Sequence, residues 1–167
     1  ARPNKLGDDV ITLGMASGLG NNCVFEVGST CYTAPFTPTP LTKAECKAQK
    51  DELGIKDCYH AHDYWAGAVK QCGGVSKMPT MAQLGELASQ MYVGNPSIGA
   101  KENKDNIQFD SNSDTAKALG LTPYFYLWSG EESNSYGAYN RGFFTTDSGW
   151  SDYYRYSSRF QAVCLGE

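Results

Sequence analysis

Trp65-Ala66-Gly67-Ala68-Val69-Lys70-Gln71-Cys72, followed by Gly73-Gly74 and then by Met78-Pro79-Thr80-Met81-Ala82-Gln83-Leu84, is the stretch on which the fold turns. Ala61, Trp65, Ala68, Val69 and Cys72 share one face at helical spacing, so a helix is expected from about Asp57 to Cys72. The two glycines end it, because glycine alone takes the left-handed cap without strain. A second helix opens at Thr80, with Gln83 placed three residues on to complete a capping box. Leu84, Leu87, Ala88 and Met91 form its apolar stripe, and Gly94 follows. Upstream, Thr42 and Glu45 form the same box, with Leu41 positioned as a hydrophobic staple. That helix should run from 42 to 53 and stop at Gly54.

Beyond the helices the pattern changes. Residues 95–122 read as loop, with one short helical turn at Ala116–Leu119. From Pro123 the chain breaks into short segments between glycine and serine turns, predicting strands at Tyr124–Ser129, Arg141–Thr145, Ser151–Tyr156 and Phe160–Leu165. Helices followed by an antiparallel meander make the fold class α+β. At the other end, Val10–Leu13 and Val24–Val27 are candidate short strands. Three prolines between Thr33 and Pro40 read as an extended connector. The expected organisation is an extension over residues 1–40 and a binding domain over residues 41–167.

A chain of 167 residues is one domain with a possible extension. Its net charge of −4 argues against a nucleic-acid binder, which carries a basic excess. No apolar run approaches a membrane span. The six cysteines, at 23, 31, 46, 58, 72 and 164, contain no Cys-x-x-Cys pair and so do not read as a zinc ribbon. With few charged residues around them they predict disulfides and an extracellular or cell-surface location. Fifteen connectivities are open.

Candidate chemical centres are few. His60 and His62 lie two apart, which on a helix points them away from each other and not at one ion. Asp110-Ser111-Asn112-Ser113-Asp114 starts like a calcium loop, but Thr115 and Leu121 stand where glycine and glutamate are needed. Glu131 and Glu132 are sequence neighbours and do not make a glycosidase dyad. No nucleophile elbow, phosphate loop or cofactor motif is present. The expectation is a protein that is not an enzyme and holds neither metal nor cofactor.

The tail carries the functional signal. Between Ser129 and Ser158, 18 of 30 residues are Tyr, Ser, Gly or Asn. This is the mixture of binding loops: tyrosine gives rigid amphipathic contact area, and the small residues adapt. The plainer alternative is that the rings simply cover the sheet.

These segments resemble a bacterial C-type-lectin-fold module of the sulfatase-modifying-factor-like branch. Trp65–Cys72 with Met78–Leu84 resembles its helix-ending Cys followed by a Leu-Pro-Thr-x-x-Glu-Leu helix start. Leu127-Trp128-Ser129-Gly130-Glu131-Glu132 is similar to its Trp-Ser-Ser-Thr-Glu strand. Phe160–Leu165 is similar to its closing strand. Within that fold the tail resembles the variable proteins of diversity-generating retroelements. Their adenine mutagenesis scatters asparagine codons into Tyr, Ser, Asp, Gly, Ala and Thr and never into Lys. All ten lysines of this chain lie at or before Lys117.

The resemblance implies two principal helices beside a small twisted antiparallel sheet whose first and last strands pair. It also implies a Cys72–Cys164 bond; Cys23–Cys31 would then close a hairpin, leaving Cys46–Cys58. It implies a diversified binding face of Asn134, Ser135, Tyr136, Ala138, Tyr139, Asn140, Asp152, Tyr153, Tyr154, Tyr156, Ser157 and Ser158, for a protein or surface-glycan ligand. Residues 1–40 would be the stem of a larger anchor, of the kind a type IV pilin-like protein has. The alternative is a structural surface or pilus subunit of the same fold, assembling into a filament. Formylglycine-generating enzymes share the fold but need a late reactive cysteine pair, and only Cys164 lies beyond Cys72.

Overall fold

The computed structural model describes residues 22–94, 102–103 and 107–166; the strand expected at Val10–Leu13 lies outside them. The fold is mixed α+β, with small antiparallel sheets and three disulfides. The caps expected at Thr42 and Thr80 and the stops expected at Gly54 and Gly73 are in place. Helix α1, Lys43–Leu53, starts at a reciprocal Thr42–Glu45 box and stops at Gly54, whose φ is 80°. Helix α2, Tyr64–Cys72, starts at Asp63, whose carboxylate accepts from the Ala66 N–H, and stops at Gly73. Helix α3, Met81–Ser89, starts at a Thr80–Gln83 box. A short α4, Asp114–Leu119, is capped by Ser113.

Helix α2 begins later than periodicity suggests. The Lys56 and Asp57 N–H groups donate to the Glu132 carboxylate at 2.6 and 3.2 Å, so they are taken out of any helical ladder. Downstream, His62–Asp63 pairs with Leu41–Thr42. Ala61 is therefore exposed and off the apolar stripe, while Trp65, Ala68, Val69 and Cys72 are fully buried.

With Phe25–Val27, Thr30–Tyr32, Leu41–Thr42, His62–Asp63, Tyr92–Val93, Glu102–Asn103 and Gln108–Phe109 as the short strands β1 to β7, the long strands are β8 Phe125–Glu132, β9 Gly137–Phe143 and β10 Ser148–Tyr154. The principal sheet has the order β6-β10-β9-β8. The strand expected at Arg141–Thr145 is the second half of β9, and the one expected at Ser151–Tyr156 begins earlier and ends at a turn. Phe160–Leu165 is no ladder strand. It makes single bridges to Phe36, Tyr32 and, in parallel sense, Leu127. The closing segment thus meets β8 through two bonds, Trp128 N–H to Gln161 O at 3.0 Å and Gln161 N–H to Tyr126 O at 2.9 Å.

Both faces of the sheet are covered. Phe125, Leu127 and Phe143 pack with Leu84, Leu87 and Ala88 of α3. Trp128 and Ala138 pack on the other face with Phe160 and with Trp65 and Ala68 of α2. Residues 23–40 run along this body: Tyr32 is fully buried in the α3-side core, and Phe36 and Ala162 exchange backbone bonds at 2.9 and 3.0 Å. Gly67 lets this segment dock, since a Cβ there would lie 1.8 Å from Thr39 O. The cysteines pair 23–31, 46–58 and 72–164. The last bond ties the end of α2 to the closing segment across 92 residues.

Candidate functional site

The site is built on a buried arginine. Arg155 follows β10, its side chain is fully buried, and its donors are spread over three segments. Nε donates to Gly137 O at 3.1 Å and Nη1 to Asp57 O at 2.8 Å. Nη2 donates to Glu132 Oε1 at 2.7 Å and to Asn134 O at 2.5 Å. Asp63 Oδ2 lies 3.6 Å from Nη1, and the guanidinium sits 4.6 Å from the Trp65 ring centroid. A planar fork of five N–H donors can join three backbone segments in this way, and an ammonium cannot. The two carboxylates compensate a charge that could not otherwise be buried. Burial holds the Asp63 carboxyl above the usual aspartate value, against the pull of the Ala66 N–H and of Arg155.

The segments that Arg155 joins carry the exposed rings. Tyr59, Tyr136, Tyr153, Tyr154 and Tyr156 are between 39% and 55% exposed. They touch one another in sequence along a ridge. Tyr136 meets Tyr59 at 4.5 Å between centroids, Tyr59 meets His60 at 5.1 Å, and His60 meets Tyr156 at 5.2 Å. Tyr156 stacks on Tyr154 at 5.3 Å, and Tyr154 meets Tyr153 at 6.1 Å. Two cations flank the ridge: Lys43 lies 5.9 Å from the Tyr59 ring and Arg159 5.2 Å from that of Tyr153. Two bonds at the Tyr136 peptide fix the ridge to its base. The Arg155 N–H donates to Tyr136 O at 3.0 Å, and His60 Nε2 meets the same oxygen at 2.7 Å, so that ring nitrogen carries the proton.

The twelve residues expected to form one face divide. Tyr136, Tyr153, Tyr154 and Tyr156 make the ridge. Asn134 shapes it, its Oδ1 accepting from the Tyr136 and Gly137 N–H groups at 2.8 and 2.9 Å. Ser135 is half-buried in the same loop, and Ser158 is exposed beyond the β10 turn. Three expectations are corrected. Ala138 and Asn140 are fully buried, because this side of the sheet is covered by Phe160 and the α2 layer and has no solvent face there; Ser157, beyond the end of β10, is nearly buried too. Asn140 Nδ2 donates inward to Ser151 O at 3.1 Å. Tyr139 is half-buried, edge-on to Trp150 at 5.6 Å. It lines a separate depression of about 320 Å³ with Met81, Glu131 and Trp150. Asp152 faces Tyr139 in the register and belongs to that side.

Tyr59, His60, Lys43, Glu132 and Arg155 carry no local signal of their role. The nearest to one is Arg155, a single cation set between Tyr154 and Tyr156 in a lysine-free tail. The carboxylate pair is structural: Glu131 Oε2 accepts from the Met81 N–H at 2.8 Å, and Glu132 serves Arg155. Asp110 makes a local turn, accepting from the Asn112 N–H at 2.9 Å. Cys23, Glu26 and Cys31 lie together, but both sulfurs are consumed in a disulfide. No helix among the described residues is long and apolar enough to cross a membrane. Comparison with family models, curated proteins and solved structures returns no match to this chain.

Proposed function

We propose that this chain is a ligand-binding domain displayed at a cell surface, and that the Tyr59–Tyr136–Tyr154–Tyr156 ridge is its contact face. In this reading the fold is a C-type lectin fold, and the tail is diversified as in retroelement variable proteins. The ligand is a protein or a surface glycan. One observation carries the reading: five exposed tyrosines, linked through His60, touch in series on a base locked by Arg155. Exposed rings grouped like this are uncommon on a surface with no partner. A ridge that is already ordered loses little entropy on binding. The three disulfides support an oxidising, extracellular setting.

The test is capture on arrayed surface proteins and glycans by the wild-type domain and by the triple variant Tyr153→Ala, Tyr154→Ala, Tyr156→Ala. Tyrosine hot spots are worth about 2 kcal/mol each. Loss of capture by at least ~100-fold, with Tm held within about 3 °C, is the expected result. A collapse of Tm would mean the rings are core. Unchanged capture with unchanged Tm would move the site elsewhere. Diversification is checked separately in the genome, by a reverse transcriptase beside a near-copy of the tail's coding sequence that differs at adenines.

A further inference from the structure

The β9–β10 hairpin carries a second feature, on the other side of Arg159 from the ridge. Strand positions Gly142 and Gly149 face each other across the ladder, so neither raises a side chain of its own from the sheet. The glycine pair floors a depression of about 190 Å³, lined by Tyr126, Phe144 and Asp147 among others. Tyr126 and Phe144 meet at 5.5 Å and 76°, forming a corner of two ring planes. The floor glycine is required by that corner: a Cβ on Gly142 would lie 2.6 Å from the Phe144 ring and 3.1 Å from that of Tyr126.

The walls are held in place. The Phe144 N–H donates to Asp147 O at 2.9 Å, closing the hairpin turn. From below, the buried Tyr92 hydroxyl bonds Phe144 O at 2.7 Å and Asp147 O at 2.9 Å, pinning both ends of that turn. Asp147 is the only ionisable acid lining the depression, and among the described residues its carboxylate has no ion pair. Tyr126 already receives one guanidinium, that of Arg159, 5.4 Å from its centroid and outside the lining.

We propose that the Tyr126–Phe144 corner, floored by Gly142 and Gly149 and edged by Asp147, is a binding site for a basic side chain of a partner protein. Two aromatic rings set at 76° with an acidic residue in the lining suit an arginine guanidinium or a lysine ammonium. The chain's own charge of −4 favours approach of such a group. The proposal does not rest on the tyrosine ridge, and the two can fail separately.

The experiment is a titration of the isotope-labelled domain, read at the Gly142 and Gly149 amide resonances. The probes are N-acetyl-arginine amide, N-acetyl-lysine amide, N-acetyl-norleucine amide and methyl glucoside, each taken to about 50 mM, since a single-side-chain contact binds in the millimolar range. The arginine and lysine probes should shift both glycines, and the other two should not. Asp147→Asn should weaken the arginine titration by about threefold to tenfold at unchanged Tm. The pair Tyr154→Ala, Tyr156→Ala should leave it unchanged. Equal shifts with norleucine would show an apolar slot, and preference for the glucoside a sugar subsite. No shift with any probe, or an Asp147→Asn titration like wild type, would equally overturn the proposal. Phe144→Leu removes one wall; should it fail to fold, the Asp147→Asn result decides alone.

Discussion

The helical layer at 41–89 and the tail at 125–158 follow different rules. In the helical layer each start is written within four residues: Thr42 with Glu45, Asp63 with Ala66, Thr80 with Gln83. Burial then follows the helical repeat through Leu84, Leu87, Ala88 and Met91. In the tail no such period survives. Asn140, Arg141, Gly142 and Phe143 are consecutive and all buried, because both sides of β9 are covered. Tyr153 and Tyr154 are consecutive and both exposed. The tail takes its shape from Arg155, whose partners stand up to 98 residues away in sequence. A local code positions the first region, and a long-range polar centre positions the second.

The sharpest way to break this contrast is Arg155→Met. It leaves Glu132 and Asp63 facing an apolar group and strips donors from Gly137, Asn134 and Asp57. Removing one partner from a buried charged network costs about 3–5 kcal/mol. Urea unfolding should show a loss of that size, and Arg155→Lys should recover only part of it, since an ammonium keeps the charge without the fork. A loss below about 1 kcal/mol would mean that the tail holds itself by packing, like the helical layer.

Legibility follows the same divide, except at the start of α2. Gly54 and Gly73 end their helices as read, and the disulfide pairing implied by family resemblance is the one observed. The start of α2 was misplaced because Glu132, 75 and 76 residues away, takes the Asp57 and Lys56 amides. Among site residues the four ridge tyrosines of the tail were legible as chemistry. Tyr59 and His60 were not, since only the folded chain lays them beside Tyr136. Ala138, Asn140 and Ser157 enter the expected face through the family resemblance and through residue type, neither of which registers burial. Composition cannot tell the two sides of a strand apart once both are covered.

A smaller effect tests the local code. Thr80→Ala removes the hydroxyl that accepts from the Gln83 N–H at 3.1 Å and should destabilise by about 1 kcal/mol. Thr42→Ala removes the matching bond to Glu45 in α1, which is more exposed, and should cost about the same or less. Denaturant midpoints of the two variants and wild type check this. A loss of the Arg155→Met size at Thr80 would mean that this cap, too, is part of a long-range network, through Glu131 on the Met81 amide.

The smallest effect is a difference of sign with pH. The Glu45 carboxyl is held below its ordinary value, first by the Thr42 backbone N–H and then by the Thr42 hydroxyl. Its contribution is therefore present above the unfolded glutamate value and fades as pH falls through the lower folded one. Asp63 runs the other way. Burial raises its folded value, the Ala66 N–H and Arg155 only partly opposing, so the folded state binds the extra proton. Between the ordinary aspartate value, about 4, and the raised one, Asp63 makes the protein less stable as pH rises. The Glu132 contact at 2.7 Å, against 3.6 Å for Asp63, explains why Arg155 does not reverse this. The measurement is unfolding free energy against pH for wild type, Glu45→Gln and Asp63→Asn. Wild type should gain on Glu45→Gln as pH rises through the acid range, and should lose ground to Asp63→Asn as pH rises from the ordinary aspartate value, about 4, to the raised one. Two curves sloping the same way would show that Arg155 holds Asp63 ionised and that the polar centre under the ridge is electrostatically tighter than its distances suggest.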